Sequence, residues 1–351
     1  MTAIKHDLPD GIPGHLLNID DVRPYLEFFG FQTRQELLDH FQIGIRRVRP
    51  DYKKPVNEPW AKYMLFDDLK PISFFGTSGG STVYDEVIEH RVFHDAEDVS
   101  EIDAYNWPDS TDDWDFDVVP AIIDDYGGRY ATMIGAWNPV WCQVYDFFSM
   151  EKTLENIHLR PALIEAAIAH IEAFYLQFYN AYFEAAKGKA DIFCMGDDFA
   201  DQRMMMLSPD HWRHFLKPTY KKIFTLAKDY GFYVWFHSCG NISEVLPDLV
   251  DIGMDIWETV QCHIPAIEPA KIKKQYGNDI TFFGGINTQH ILPVCNAAEV
   301  RKHVRQRISV LGKGGGYICG PDHHVNPLIP IRNIEAMFDE LNHFRGDGYT
   351  R

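Results

Sequence analysis

His237-Ser238-Cys239 closes the apolar run YVWF and is followed directly by Gly240. Imidazole and thiolate are side chains that a zinc ion accepts together, and a catalytic zinc takes three protein ligands and keeps one open position. If the run is a β-strand, residues two apart face the same side, so His237 and Cys239 converge while Ser238 turns away. Two later residues offer a third ligand: Cys319, in the run GYICG, and His323, four positions beyond it. The thiolate is the softer donor, and the imidazole is nearer the strand tip where an open site would sit. Residue types alone leave both open. A plainer alternative makes His237 a hydrogen-bonded buried histidine and the cysteines small apolar fillers.

Polar residues recur at the ends of the other apolar runs. Asp197 and Asp198 follow IFCMG, Glu258 and Gln261 end DIWETVQ, Asn287 follows FFGGI, and Asp322 follows YICGP. Such groups are costly to bury without partners, so their repetition points to one shared mouth. Neighbouring residues on a strand face opposite ways, so one of Asp197 and Asp198 enters the mouth as an acid, base or substrate anchor. The other caps the segment that follows. Gln202 and Arg203 lie within reach of the same place. The catalytic candidates are thus Asp197, Asp198 and Gln202. Glu258, Gln261, Asn287 and Asp322 are candidate substrate contacts, with Glu258 also able to complete a metal shell.

These residues need a scaffold that brings strand ends together. ADIFCMGDD, YVWFHSCG, MDIWETVQ, ITFFGGIN and GYICGPDHH read as buried strands separated by helical segments, the pattern of a parallel sheet, doubly wound or closed as a barrel. No G-x-G-x-x-G opens a helix after a strand, and no Walker A motif occurs, which removes the common nucleotide-binding readings. A helix is expected over residues 208–230, with Ser208 as N-cap, Pro209 at the first position and Gly231 as the stop. Another should span PALIEAAIAHIEAFYLQFYNAYFEAAKG up to Gly188. DDVRPYLEFFG and RQELLDHFQIGI carry helix signals, so residues 1–60 read as a helical N-terminal extension. No Ser/Gly-rich linker divides the chain, so residues 1–351 read as one domain.

The chain of 351 residues carries a formal net charge of −18 and no basic stripe, which argues against nucleic acid. No apolar stretch approaches the roughly 18 residues of a membrane span, and no secretion signal opens the sequence, so a cytoplasmic protein is expected. Six cysteines without regular spacing do not form a disulfide framework. Cys142, Cys194, Cys262 and Cys295 read as packing or surface residues, and DSTDDWDFD as a solvated acidic loop.

GDDFADQ, FHSCGNISEVLPDLVDIGMDIWETVQ, FFGGINTQHILP and GGGYICGPDHHVNPLIPIRNIEAMF, with the earlier EHRVFHDAEDVSEIDAYNWPD, resemble in order and spacing the uroporphyrinogen decarboxylase superfamily. The resemblance runs from about Ile43 to the C-terminus and implies an α/β fold, a single (β/α)8 TIM barrel with its site at the C-terminal mouth. One branch decarboxylates a porphyrinogen without a cofactor. The other resembles methylcobalamin-dependent methyltransferases, which hold zinc on a His-x-Cys pair and a distant Cys. The decarboxylase motif M-R-Q-A-G-R is absent, although Arg46, Arg47 and Arg49 lie in that region. Aligned on residues 321–327, His323 stands where the methyltransferases' second Cys would be. No D-x-H-x-x-G corrinoid signature occurs, so a corrinoid would arrive on a partner protein.

The resemblance therefore implies a zinc-dependent methyltransferase that moves a methyl group between a corrinoid and a small thiol or methylated substrate. The alternative is a metal-free carboxy-lyase of tetrapyrrole biosynthesis, and a non-catalytic tetrapyrrole-binding barrel stands third. The expected partners are a small-molecule substrate and a corrinoid protein, with neither nucleic acid nor membrane, and a homodimer is left open.

Overall fold

The computed structural model describes residues 1–7, 10–53, 78–81, 86–109, 111–137 and 139–347. Among them, seven parallel strands form one curled sheet: β1 (Ile45–Arg47), β2 (Ala131–Gly135), β3 (Ile192–Gly196), β4 (Tyr233–His237), β5 (Ile256–Val260), β6 (Thr281–Ile286) and β7 (Tyr317–Pro321). Each strand pairs with the next in sequence, the order that helical crossovers of one hand produce. All five runs read as strands are strands, and the architecture is the TIM-barrel-like α/β fold expected.

The edge beyond β7 is occupied by residues 13–15. The Cys319 amide donates to the Pro13 carbonyl and the His15 amide to the Cys319 carbonyl, both at 2.9 Å. An eighth regular strand is thus replaced, among the described residues, by a short parallel bridge. Pro13 has no N–H to extend the ladder. The helical extension is accordingly shorter than the sequence suggested. Among the described residues it comprises Arg23–Phe29 and Arg34–His40, the latter held by a Thr33/Glu36 capping box, and β1 already belongs to the sheet; residues 54–60 of the expected extension lie outside the described residues.

The long helix Pro161–Ala186 ends as expected before Gly188. The helix expected over residues 208–230 is instead two, Pro209–Phe215 and Lys217–Asp229. Pro218 cannot donate to the His214 carbonyl, which breaks the hydrogen-bond ladder at Leu216. Ser208 caps the first helix by accepting the His211 amide hydrogen at 3.2 Å. Asp109, Asp112 and Asp117 are exposed, as a solvated loop requires, while Trp114–Asp115 pairs with Asp51–Tyr52. None of the six cysteines forms a disulfide. No described helix is long and apolar enough to cross a membrane.

The barrel interior is filled by aromatic rings. Trp235 is buried with its ring 4.4 Å from Phe283, whose other neighbour is His15 at 3.8 Å. His237 follows Trp235 by two residues and so faces the same interior, one layer nearer the C-terminal mouth. Trp235→Ala should cost roughly 3–5 kcal/mol of stability, read as a lower denaturant midpoint at unchanged slope. An unchanged midpoint would mean that the interior is not packed around this ring.

Candidate metal centre

Strand register sets the site. Gly196, His237 and Glu258 are paired in one row across β3, β4 and β5, at the C-terminal ends of the strands. Gly196 has to be glycine: a Cβ there would lie 2.6 Å from the Trp137 ring and 2.9 Å from the His237 Cβ. Beyond the row, the chain turns through Gly240 at a φ of +81°, where a Cβ would lie 2.5 Å from the carbonyl oxygens of Ala200 and Asp201. That turn leaves Cys239 beside His237, with Sγ 3.4 Å from Nε2.

His323, from the loop after β7, completes the group. Ligand atoms of His237, Cys239 and His323 lie within 4.8 Å of one another. Cys319 does not join them. It is fully buried within β7, with its thiol against the hydroxyl of Tyr317 on the same strand face. Of the two third ligands left open by the sequence, the structure therefore brings His323 to the pair. Burial, together with His324 and His237 alongside, holds the His323 pKa down to about 4, so near neutral pH its imidazole is uncharged and can donate a lone pair.

Glu258 takes a different place from the one expected of a substrate contact. Its Oε2 lies 3.2 Å from His237 Nδ1, and its Oε1 accepts from Asn18 Nδ2 at 3.1 Å. Arg47 Nη2 in turn donates to Asn18 Oδ1 at 3.2 Å. A carboxylate on the remote nitrogen fixes the ring and turns Nε2 toward Cys239. Burial opposes the Glu258 charge, yet His237 and Arg47 hold its pKa below the ordinary value. Burial likewise opposes a charge on His237, but Cys239 and Glu258 outweigh it and raise its pKa. Burial and Asp198 push the Cys239 thiol up to about 11.

The adjacent acids divide as strand alternation requires. Asp197 is fully buried and accepts the amide hydrogens of Val140 and Trp141 at 2.8 and 2.6 Å, that of Cys142 at 3.0 Å and the Tyr220 hydroxyl at 2.6 Å. It anchors the N-terminus of the helix Trp141–Phe148 and does not face the mouth. Asp198 does: its Oδ1 accepts the Cys239 amide hydrogen at 2.8 Å and lies 3.9 Å from His237 Nε2.

A cleft of about 390 Å³ opens beside this group, with Cys239, His323, Gln261 and Gln202 in its wall. Gln202 is exposed and donates to Gln289 across the cleft at 3.0 Å. Gln261 is buried and accepts the Gly240 amide hydrogen at 2.8 Å. Asn287 and Asp322 brace the loops below. Asp322 accepts the Thr288 amide and hydroxyl hydrogens at 2.9 and 2.8 Å, and Asn287 Nδ2 donates to it at 3.3 Å. The sequence reading missed Asn18, which lies 240 positions from Glu258 and carries no local signal. It also missed Gln289 and His324, although His324 adjoins His323. Trp137 stands edge-on to His237, at 5.2 Å and 88°, whereas Trp235 and Trp257 are buried packing residues.

The family model of uroporphyrinogen decarboxylase matches residues 86–344. The chain belongs to this family. Its similarity within the family falls on methyltransferases. A methylcobamide:CoM methyltransferase MtaA of Methanosarcina barkeri is 23% identical over 216 residues, which are 62% of this chain and 59% of that protein. The same enzyme from strain Fusaro is 21% identical over an equal length. The chain thus matches under two thirds of these relatives. A solved methyltransferase from Methanosarcina mazei superposes with a TM-score of 0.69 over 98% of this chain and 97% of its own, at 16% identity, a likeness of fold.

The two acids should separate experimentally. Asp197→Ala leaves several buried donors unsatisfied and should lower unfolding stability by roughly 2–4 kcal/mol. Asp198→Asn, which retains an acceptor for the Cys239 amide, should shift it by less than about 0.5 kcal/mol. Equal losses in denaturant unfolding would refute the division.

Proposed function

We propose that the protein is a zinc-dependent methyltransferase that moves a methyl group between a corrinoid carried by a separate protein and a small thiol or methylated substrate. The observation that carries this reading is the convergence of His237, Cys239 and His323 beside an open cleft. Their chemistry fits zinc. Two nitrogens and one sulfur are a three-ligand set, and ligands of one tetrahedral zinc should have nitrogen and sulfur roughly 3.5 Å apart. The His237 Nε2 to Cys239 Sγ distance of 3.4 Å agrees. Glu258 on the remote nitrogen of His237 is the usual support of a metal-bound imidazole.

Bound there, zinc would supply Lewis acidity, lowering the pKa of a thiol or polarising a leaving group. The chain's residues supply the rest. Glu258 and Asn18 hold His237 in one ring orientation, Asp198 fixes the Cys239 backbone, and the Gln202–Gln289 pair borders the way in. The names of the Methanosarcina relatives support the methyl transfer and the corrinoid. A decarboxylase finds less support. Arg46 is buried against Asp39 beneath the Tyr130 ring, and Arg47 is engaged by Asn18.

Elemental analysis of the purified chain should find close to one zinc per molecule, lost in His237→Ala, Cys239→Ala and His323→Ala and retained in Cys319→Ser. Retention in His323→Ala with loss in Cys319→Ser would overturn the ligand set, and a metal-free native protein would overturn the zinc reading. Glu258→Gln should weaken zinc binding roughly 10- to 100-fold. Zinc must displace the protons held on His237 and Cys239, both of whose pKa values are raised, so affinity should increase with pH through neutrality. Competition titrations with a chelator at several pH values measure this, and a flat profile would contradict it.

A further inference from the structure

Most polar side chains described in the wall of the 390 Å³ cleft are committed to the protein itself. Gln202 donates to Gln289 at 3.0 Å, the Thr288 hydroxyl donates to Asp322 at 2.8 Å, and Asp201 Oδ1 accepts the Arg203 and Met204 amide hydrogens at 2.6 and 2.8 Å. Asn326 Oδ1 takes the Leu328 amide hydrogen at 2.9 Å, and His324 Nδ1 lies 2.8 Å from Asp20. Gln261 is only half engaged. Its Oε1 accepts the Gly240 amide hydrogen at 2.8 Å, while among the described residues no group accepts from Nε2.

The side-chain amide cannot turn round to use that donor elsewhere. Interchanging its two ends would set Nε2 against the Gly240 N–H, donor against donor. The Gly240 amide is itself fixed, because the next residue is pinned twice: the Asn241 amide donates to the Asp201 carbonyl at 2.7 Å, and Asn241 Nδ2 donates to the Arg203 carbonyl at 3.1 Å. The backbone of Gln261 is held by the turn after β5. Its amide donates to the Thr259 carbonyl at 3.1 Å, and its carbonyl accepts the Ile264 amide hydrogen at 3.0 Å. Gln261 is 3% exposed and lines the cleft, so its unused N–H groups form a fixed donor in the wall, against the turn that carries Cys239. A buried donor without an acceptor costs stability, and native proteins leave few of them.

We propose that Gln261 is a substrate-binding residue whose Nε2 donates to an oxygen in the non-reacting part of the substrate, a hydroxyl, ether or carbonyl oxygen. This rests on the cleft being the place of the proposed transfer, but the donor itself does not depend on zinc. A ligand that puts carbon at that position would seal the N–H groups from water with no acceptor, and sites built around a hydrogen bond discriminate strongly against such analogues.

The test uses 2-methoxyethanethiol and 1-butanethiol, which share the thiol and the chain length and differ by one ether oxygen in place of a methylene. Calorimetric titration of the zinc-loaded chain gives the ratio of their Kd values. In Gln261→Met, whose side chain is uncharged and has no donor, that ratio should shift about ten-fold toward butanethiol, with zinc content unchanged. An unshifted ratio would overturn the proposal. A second measurement needs only the native chain: the side-chain amide resonances of Gln261 should move when the ether is added and stay in place with butanethiol, and an equal response to both would also overturn it. The same resonances in the metal-free chain, titrated with 2-methoxyethanol and 1-butanol, separate the two readings. An ether-specific shift in a chain that takes up no zinc sustains the Gln261 site and removes the zinc reading, whereas a zinc-loaded chain with no ether-specific shift retains zinc and removes the Gln261 site.

Discussion

A carboxylate that is 3% exposed needs partners, and Glu258 finds them in His237 Nδ1 on one side and Asn18 Nδ2 on the other. The rest of the site follows from that contact. Parallel pairing of β4 and β5 places Glu258 opposite His237, so the carboxylate meets the nitrogen that points away from Cys239. The ring is then fixed with its other nitrogen toward the sulfur. Without the carboxylate the imidazole would be free to turn, and the convergence of three donors would depend on an unsupported side chain.

The N-terminal segment that lies where a barrel strand would is tied to the same contact. Residues 13–15 bridge to β7, Asn18 reaches Glu258 and Arg47, and Asp20 reaches His324. One short stretch thus joins both edges of the curled sheet and touches Glu258, which supports His237, and His324, the chain neighbour of His323. His15 from this stretch also stacks on Phe283, so the aromatic filling of the barrel and the polar layer above it share an anchor. Site and closure of the sheet are therefore mechanically one feature.

Adjacent Asp197 and Asp198 show how the fold separates stability from chemistry. Strand alternation sends one carboxylate outward to hold a helix N-terminus and the other to the mouth. With His323 as the third donor, the cluster has two imidazoles and one thiolate. A metal held by them would keep more positive charge than one held by two thiolates and an imidazole, which favours Lewis-acid activation of whatever occupies the open position.

Much of this was legible in the chain itself. Apolar runs of strand length ending in polar residues specified a parallel α/β sheet, and the H-x-C spacing specified that two donors would share a face, because both depend on a local two-residue period. The same locality sets the limit. The choice between His323 and Cys319 depended on which way a residue of β7 points and where the following loop ends. The break at Leu216 depended on the proline after Lys217, a local signal that the long helical pattern outweighed in the reading. Only the tertiary structure could bring Asn18 to Glu258, since nothing in either neighbourhood marks the other. The sequence by itself determined the strands and the convergence of His237 and Cys239; the packing of distant segments decided that His323, and not Cys319, lies beside them and that Glu258 and Asn18 support His237.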